Sequence, residues 1–570
     1  MSVDPITLEV IRNAATAISE EMNANLIRTG YSPNIKERRD CSCAVFDADG
    51  EMISQAENMP VHLGAMPFSV AAALDAYPPE TLSPGDSIML NDPFRGGAHL
   101  PDLTLVTPVF VDGELIAFAA NRAHHADIGG STAGSVAADS TEIYQEGLRI
   151  PPVKLYEGGD VVEDIMGMIL ANVRTPDERR GDLRAQAAAN ETARNRLQGL
   201  AEKYGTETLS EAIDEIQDYS ERRMRSEIQE LPDGTVSFAD VLDDDGQGTE
   251  NIGIKASVSI DDDEVTVDFE GTDPQTKGAV NAVFAVTASA TYYAIRCLTD
   301  PDIPPNNGCY RPIEINAPSG TVVNAKPPAA VVGGNLEVSQ RVTDVVLGAL
   351  GELVPERATA AHQGTMNNVT FGGTDPRDGS PYAFYETQGG GFGARASGDG
   401  MDGVHVHMSN TMNTPAEVLQ TAYPLAVKRY ELRADTGGAG KQRGGLGLRR
   451  DIEVRGHDAM FSLLSERRTH GPYGLEGGHD GETGDDKLLT SDGEQDLPSK
   501  TKRTLHDGDI VSIRTPGAGG FGEATERDPE SVRRNVKLGK VSEKAARETY
   551  GVSIVDEAQN NKSTAREERS

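Results

Sequence analysis

This sequence has few of the features that mark membrane, secreted or disulfide-bonded proteins. No stretch of its 570 residues approaches the ~18 uninterrupted apolar residues that a membrane helix needs, so no membrane span is expected. The first residues, MSVDPITLEV, lack a basic segment followed by a long apolar one, so they do not predict a secretory signal. Four cysteines are too few and too scattered for a disulfide framework, which favours a reduced, cytoplasmic protein.

Basic residues are scarce relative to acidic ones. The chain has 53 Lys and Arg against 90 Asp and Glu, a net charge of −37, and such a surface repels phosphate backbones, so nucleic acid is not an expected partner. The acidic residues are spread along the chain, as in DDDG at 243–246 and DDDE at 261–264. A cation-binding surface would explain this spread, but a soluble protein adapted to strong salt explains it more simply. A halophilic source is therefore predicted, because at 1 M salt the Debye length falls to about 3 Å.

Two common catalytic motifs are also missing. The chain has three glycine runs, GGGFG (389–393), GGAGKQRGGLG (437–447) and GAGGFG (517–522). None has the GxxxxGK[ST] form of a phosphate-binding loop, and none opens a periodic helix after a buried strand. We interpret them as turns and points of close backbone packing. The nucleophile elbow GxSxG is absent as well, so a serine hydrolase of that type is unsupported.

What is present predicts a mixed α/β (α+β), multi-domain protein. The length exceeds the size at which one hydrophobic core stops growing. We predict an N-terminal mixed sheet-and-helix domain that carries a candidate metal loop, a central β-rich segment with a helix, and a glycine-rich, β-dominated C-terminal half. The predicted boundaries are 1–232, 233–355 and 356–555, with a disordered polar tail over 556–570.

Local patterns predict individual elements. Asp4 is a candidate N-cap and Pro5 suits the first helical position. Apolar residues then recur every four positions from Ile6 to Leu26, which predicts a helix that ends at Gly30. The other predicted elements are a hairpin over 41–57, strands flanking the turn at 112–113, helices over 160–232, short strands with Asp-rich turns over 234–325 and a helix over 338–353.

Histidine and carboxylate side chains follow an apolar run near residue 90. The segment NDPFRGGAHLPD (91–102) carries His99 and Asp102. They lie on a loop rather than a helix, because Pro101 restricts Leu100 to extended geometry. The preceding glycine pair allows the backbone to turn sharply.

A second histidine source lies at the end of a later strand. The segment NRAHHAD (121–127) carries His124 and His125, and a turn at 112–113 would make its strand a neighbour of the one after the 91–102 loop. One of these two histidines would then meet His99 and Asp102. Imidazole and carboxylate groups with an open position suit a hydrolytic or Lewis-acid metal. On the residues alone, a metal site and a structural loop both remain open.

Two further histidines and two cysteines alternate along the sequence. His405 and His407 in GVHVHMSN are predicted to lie on a strand and share one face. They could be ligands or a polar face beside a cleft. Cys41 and Cys43 alternate in the same way, and strand residues explain them better than a metal clip does.

Nine segments, in order from about residue 3 to 555, together resemble the hydantoinase B family. That family includes the B subunit of ATP-dependent N-methylhydantoinase, the matching half of 5-oxoprolinase and the alpha subunit of acetone carboxylase. The segments are SPNIKERRDCSCAVFDADG, VHLGAMP, NDPFRGGAHLPD, NRAHHADIGG, STEIYQEGLRIPPVKL, QGTMNNVTFGG, VHVHMSNTMNTPAEVLQ, YELRADTGGAGKQRGGLGL and TPGAGGFGEATERDPE.

The resemblance implies a subunit that does not bind ATP itself. A hydantoinase A-type ATPase partner, in a hetero-oligomer, would phosphorylate the carbonyl oxygen of a small cyclic amide such as a hydantoin or oxoproline. The B-type subunit would then hydrolyse the activated ring at a divalent metal, for which Zn, Mn, Fe or Co all suit mixed N/O ligands. An acetone carboxylase-like subunit is the alternative within the family. A non-catalytic scaffold with a structural metal is the alternative outside it.

The resemblance also assigns roles to residues of this sequence. The implied metal ligands are His99, Asp102 and His124, with Asp40 as a candidate fourth ligand. The implied orienting or proton-accepting residues are His125 and Asp127, with Glu142 and Glu146 as further base candidates that a solvated loop would equally explain.

Three positions depart from the family pattern. Ala98 stands where Thr is expected, Tyr473 where Trp is expected, and His362 where a small residue is expected. None is a proposed ligand, but they leave the choice of substrate open.

Overall fold

The first helix begins and ends where the sequence predicts. Asp4 accepts hydrogen bonds from the backbone N–H groups of Ile6 and Thr7, both at 3.1 Å, and Gly30 follows the last helical residue. The computed structural model describes residues 3–554 of the chain. The predicted tail over 556–570 lies outside the described residues.

The described residues form a mixed α+β protein, as predicted. Its α-helices are α1 (Pro5–Thr29), α2 (Pro33–Lys36), α3 (Pro60–Ala76), α4 (Glu163–Ala171), α5 (Pro176–Tyr204), α6 (Thr206–Ile228), α7 (Phe284–Arg296), α8 (Ser339–Leu353), α9 (Ala416–Ala422), α10 (Pro529–Lys537) and α11 (Glu543–Glu548). None of these helices has the length and apolar character needed to cross a membrane.

A seven-stranded antiparallel sheet forms the N-terminal part, in the order β2-β1-β5-β4-β3-β6-β7. Its strands are β1 (Cys41–Asp47), β2 (Met52–Gln55), β3 (Ser87–Leu90), β4 (Asp102–Val111), β5 (Glu114–His124), β6 (Val153–Glu157) and β7 (Asp160–Val161). The predicted hairpin over 41–57 is β1 and β2, and β4 and β5 form the second predicted hairpin.

Both faces of this sheet are buried, and alternate residues of β1 face different cores. Cys41, Cys43 and Val45 pack in the cluster that contains α1, α5 and α6. Ala44 and Phe46 pack in the larger cluster on the other face, which includes residues of α3, α7 and α8. This period of two is the expected pattern for a strand covered on both sides, and it explains both cysteines as core residues.

The central part contains a four-stranded sheet and two long helices. Its strands are β8 (Gly234–Asp244), β9 (Glu250–Asp261), β10 (Glu264–Asp268) and β11 (Ile313–Asn316), in the order β11-β10-β9-β8. The prediction of strands throughout 234–325 is wrong at α7, whose Thr, Val and Tyr content favours a strand. Packing against α3 and α8 determines the helix instead. The helix predicted over 338–353 is α8, which follows a π-helical turn at Gly334–Val338.

The C-terminal part packs two antiparallel sheets around a shared apolar core. One sheet, in the order β13-β12-β16-β19, contains β12 (Asn368–Thr374), β13 (Pro381–Glu386), β16 (Ala459–Leu464) and β19 (Lys500–Leu505). The other, in the order β14-β15-β20-β17-β18, contains β14 (Leu425–Leu432), β15 (Leu448–Val454), β17 (Lys487–Thr490), β18 (Gly493–Asp496) and β20 (Ile510–Arg514).

The glycine runs of this part lie against one another, as predicted. A Cβ at Gly444 would lie 1.9 Å from the backbone oxygen of Ala518, so backbones approach there at a distance that only glycine permits. The domain boundaries at 232 and 355 remain predictions. The largest core cluster includes residues from both sides of each boundary.

Candidate functional site

Hydrogen bonds and a left-handed glycine shape the 91–102 loop. The side-chain amide of Asn91 donates to the backbone oxygen of Leu100 at 2.7 Å, and its Oδ1 accepts from the backbone N–H of Ile150 at 2.6 Å. Gly96 has φ +83°, and a Cβ there would lie 2.2 Å from a backbone carbonyl oxygen of α3. The chain therefore turns back on itself just before β4 begins.

This turn brings two histidines to one carboxylate oxygen. Nε2 of His99 lies 3.0 Å from Oδ1 of Asp102, and Nδ1 of His124 lies 3.3 Å from the same oxygen. Asp102 is the first residue of β4, and it faces His124, the last residue of β5, in the strand register. All three residues are buried.

The three side chains fit a divalent metal. Ligand atoms from each lie within 4.8 Å of one another, and atoms about 2.0–2.2 Å from a shared ion lie about 3.0–3.4 Å apart in octahedral or tetrahedral geometry. Both ring nitrogens of His99, Nε2 of His124 and Oδ1 of Asp102 are buried without a hydrogen-bond partner. Buried polar atoms are rarely left unpaired, and a cation among these donors would satisfy them.

His62 of α3 completes this group and was missed by sequence reasoning. Its Nε2 lies 3.3 Å from Oδ2 of Asp102 and 3.9 Å from Oδ1 of Asp40, while its Nδ1 lies 3.4 Å from Oγ of Ser42. Asp40 also lies 3.7 Å from Nη1 of the buried Arg38. The candidate fourth ligand is thus beside the cluster. The signal for His62 was its place in VHLGAMP, one of the segments that resemble the family.

Two polar residues from distant parts of the chain also contact the group. The side-chain amide of Asn335 donates to Oδ2 of Asp102 at 3.4 Å, and it lies in the π-helical turn before α8, a local structure often found at functional sites. The ring of Tyr385 stacks on His124 with centroids 4.4 Å apart. Sequence reasoning singled out neither residue, because only the tertiary fold brings them to the loop.

Burial and mutual charge set the protonation of the cluster. Burial raises the pKa of Asp102, but His99, His62 and His124 more than offset this and hold that pKa well below its usual range. Burial lowers the pKa of His124, which Asp102 only partly opposes. An ionised carboxylate and a neutral imidazole are the forms that bind metals.

The structure does not bring His125 and Asp127 to this cluster. Nε2 of His125 lies 2.9 Å from Oε1 of Gln186 in α5, and burial lowers the pKa of His125 to about 4. The carboxylate of Asp127 pairs with the guanidinium of Arg174 at 2.7 Å and accepts from its backbone N–H. Their roles as orienting or proton-accepting groups stay predictions.

The two glutamate base candidates differ in their surroundings. Glu142 is exposed at the start of a 3-10 turn. Glu146 is buried, and its Oε1 accepts from the backbone N–H groups of Val331 and Val332 at 2.9 and 3.0 Å. Burial raises the pKa of Glu146 to about 8. Neither role is tested by these contacts.

The predicted strand with His405 and His407 on one face is wrong. These residues lie in an irregular segment, and His407 has φ +47°. Nε2 of His407 bonds to Oδ1 of Asp344 at 3.0 Å, whereas Nδ1 of His405 faces Oγ of Ser409 at 3.2 Å. A positive φ breaks the alternation that the sequence pattern suggested.

Several known proteins are similar to this chain over most of its length. 5-Oxoprolinase 1 of Arabidopsis thaliana is 39% identical over 91% of the chain, which spans 42% of that enzyme. The B-type subunit of a putative D-/L-hydantoinase from Pseudomonas sp. (strain NS671) is 34% identical, with 97% of this chain and 96% of that protein covered.

Two solved structures share the fold. The ATP-dependent caprolactamase of Pseudomonas jessenii superimposes with a TM-score of 0.92 at 32% identity and covers 98% of each chain. An acetone carboxylase structure superimposes with a TM-score of 0.90 at 19% identity, covering all of this chain and 84% of the other, a likeness of fold alone. The family model described as Hydantoinase B/oxoprolinase matches residues 4–524. This chain belongs to the hydantoinase B/oxoprolinase family.

Proposed function

We propose that this chain is the metal-dependent subunit of an ATP-dependent cyclic amide hydrolase. The observation that carries the proposal is the buried set of His99, Asp102 and His124, whose donor atoms converge without hydrogen-bond partners. The similarity to 5-oxoprolinase, the hydantoinase B-type protein and caprolactamase supports cyclic amides as the substrate class.

The proposed reaction begins on a partner. A hydantoinase A-type ATPase, in a hetero-oligomer with this chain, phosphorylates the carbonyl oxygen of the ring. The carbonyl carbon becomes more electrophilic, and its oxygen becomes part of a leaving group. The relative that is one subunit of a putative hydantoinase supports a separate partner, and the missing GxxxxGK[ST] motif is consistent with ATP being used elsewhere.

The residues of the cluster then have distinct tasks. His99, Asp102 and His124 would hold a divalent cation, with Asp40 as the candidate fourth ligand. When bound, such a cation supplies Lewis acidity and lowers the pKa of water towards neutrality. The ionised form of Asp102 is maintained by the surrounding imidazoles.

His62 orients the carboxylate of the cluster. Its Nε2 lies within reach of Asp102 and Asp40, and Ser42 faces its other nitrogen, so a proton on Nε2 would be held between two carboxylates. Tyr385 fixes the plane of the His124 ring by stacking. Such supporting contacts fix ligand orientation and basicity.

A carboxylase subunit is the alternative within the family. It would use the same cluster to join an activated ketone to carboxyphosphate. The similarity to acetone carboxylase concerns the fold at 19% identity, whereas the similarity to the caprolactamase is 32% over nearly the whole chain. The hydrolase is therefore better supported.

Co-purification with the A-type partner and a substrate screen test the proposal. ATP hydrolysis should be stimulated by hydantoins, 5-oxoproline or small lactams, and ring opening should follow. Acetone with bicarbonate tests the carboxylase. Stimulation by no cyclic amide would contradict the proposed substrate class.

Metal analysis separates catalysis from a structural role. His99→Ala and Asp102→Ala should lower both the metal content and the rate of coupled ring opening. His506→Ala is the matched control, because His506 is exposed and pairs with Asp458 at the surface. Loss of metal with unchanged turnover would favour a scaffold whose metal only fixes the loop.

A further inference from the structure

A second cavity lies across the first turn of α3 from the Asp102 cluster. Its volume is about 300 Å³. Pro60 and Gly64 of α3 line it, and these residues, four apart, share a helix face that His62 does not. Oγ of Ser289 in α7 donates to the backbone oxygen of Pro60 at 2.9 Å. One helical turn therefore forms a wall of this cavity and carries a residue of the cluster.

Tyrosine rings give the cavity flat apolar walls. Tyr292, Tyr293 and Tyr310 line it, and the rings of Tyr292 and Tyr310 stack with centroids 4.3 Å apart and an interplanar angle of 16°. Tyr293 makes an edge contact with His407 on its other side. Rigid aromatic walls favour a small planar ligand, whose faces they can cover at little entropic cost.

Two polar groups that line this cavity have no partner. Nη1 of Arg296 and Oε1 of Gln55 are both buried without a hydrogen bond. The other terminal nitrogen of Arg296 donates to the backbone oxygen of Ile303 at 2.9 Å, which anchors the guanidinium. The cavity wall thus offers one fixed N–H donor and one amide oxygen acceptor, and buried polar groups in proteins normally have partners.

A cyclic secondary amide has the complementary groups. Its ring fixes the C=O acceptor and the N–H donor on one edge, and the ring itself is nearly planar. We propose that this cavity is a second binding site for a cyclic amide, with Arg296 donating to the ring carbonyl and Gln55 accepting from the ring N–H. The assignment rests on the proposed function, which supplies the substrate class.

Binding of 2-pyrrolidinone to the full-length chain, measured by titration calorimetry, tests this site. Arg296→Met and Gln55→Met should each raise the dissociation constant at least tenfold, because each removes one of the two hydrogen bonds. N-methyl-2-pyrrolidinone, which keeps the carbonyl but lacks the N–H, should bind the unaltered chain at least tenfold more weakly than 2-pyrrolidinone. Arg455→Met and Gln247→Met are matched controls at exposed positions and should not change binding.

The failure of this site is distinguishable from the failure of the proposed function. Asp102→Asn should abolish coupled ring opening and leave 2-pyrrolidinone binding within twofold, since Asp102 does not line the cavity. Equal binding of the two pyrrolidinones, or full binding by the Arg296→Met chain, would overturn the second site. Equally tight binding of ring-opened 4-aminobutanoate would also overturn it. A crystal soaked with 2-pyrrolidinone should show the ring against Tyr292 and Tyr310.

Discussion

Two buried groups of histidine and carboxylate in the described chain neutralise charge in different ways. The Asp102 cluster is His62, His99, Asp102 and His124. The Asp344 cluster is His362, His407, Asp344 and Arg467. In both, a fully buried aspartate faces imidazole nitrogens, so burial and composition alone do not separate them.

In the Asp344 cluster each carboxylate oxygen has its own hydrogen-bond donor. Oδ1 faces Nε2 of His407 at 3.0 Å, and Oδ2 accepts from Nη2 of Arg467 at 2.9 Å. The same arginine nitrogen bonds to Asp240 at 2.7 Å. A permanently charged guanidinium compensates the buried carboxylate, and both oxygens of Asp344 are already engaged, which leaves neither for a cation.

In the Asp102 cluster one carboxylate oxygen faces two imidazoles and forms no hydrogen bond with either. Nε2 of His99 and Nδ1 of His124 lie 3.0 and 3.3 Å from Oδ1. Arginine is absent from the contacts of this oxygen in residues 3–554. The difference teaches that a metal centre is recognised less by its residue types than by donor atoms that converge without partners.

Replacing the central carboxylate of the Asp102 cluster should have the largest effect. Asp102→Asn removes the charge that a cation needs, and Lewis-acid activation supplies several kcal/mol, each 1.4 kcal/mol being about tenfold in rate. We expect coupled ring opening to fall about 10³-fold or more, with loss of bound metal measured by mass spectrometry. Retained metal and turnover would show that the two clusters do not differ as argued.

The same substitution in the Asp344 cluster should act on stability instead. Asp344→Asn leaves Arg467 and its neighbours without a buried counter-charge, which typically costs about 3–5 kcal/mol. We expect a lower urea midpoint, with metal content per folded chain unchanged. Arg533→Met, which breaks an exposed pair with Glu530, is the surface control and should change stability by less than about 1 kcal/mol. Metal loss in the Asp344→Asn chain would contradict the comparison.

A smaller effect is expected for the residue that only supports the Asp102 cluster. His62→Gln keeps a polar group near Asp102 but loses the imidazole between two carboxylates. Changes to such supporting groups typically cost about 10–100-fold in metal affinity or activity. We expect a rate loss in this range with metal still bound at saturating concentration. A loss as large as that of Asp102→Asn would make His62 a ligand.

The fold could be predicted from the sequence where local signals and tertiary packing agree. The Asp4 cap and Gly30 bound α1 as expected, and the turn at 112–113 pairs β4 with β5. Helix α7 could not be predicted, because its intrinsic preference is for a strand and packing against α3 and α8 overrides it. The same limit applies to His407, whose positive φ is imposed by the fold.

The candidate site was predictable to the extent that it lies on one hairpin. His99, Asp102 and His124 come together because a short turn fixes the strand register. His62, Asn335 and Tyr385 reach the cluster from three other parts of the chain, and nothing local to their segments encodes that meeting. Two of the departures from the family pattern, His362 and Tyr473, also converge. His362 stacks on His407 at 3.7 Å, and the Tyr473 hydroxyl donates to the backbone oxygen of Asp344 at 2.7 Å.

The Asp344 cluster should also give the chain part of its sensitivity to acid. Burial and neighbouring His407 hold the pKa of His362 well below its usual 6.5, so below pH ~6.5 the unfolded chain binds a proton there that the folded chain does not. Stability must therefore fall as the pH drops through this range, by up to about 1.4 kcal/mol per pH unit for one such group. His362→Gln removes this proton uptake, and we expect a flatter decline of the urea midpoint between pH 7 and 5.5. His506→Gln is the control of opposite sign, because its hydrogen bond to Asp458 raises the pKa of His506. An unchanged slope in the His362→Gln chain would mean that His362 is already protonated in the folded protein, and the Asp344 cluster would then carry a charge that Arg467 alone does not account for.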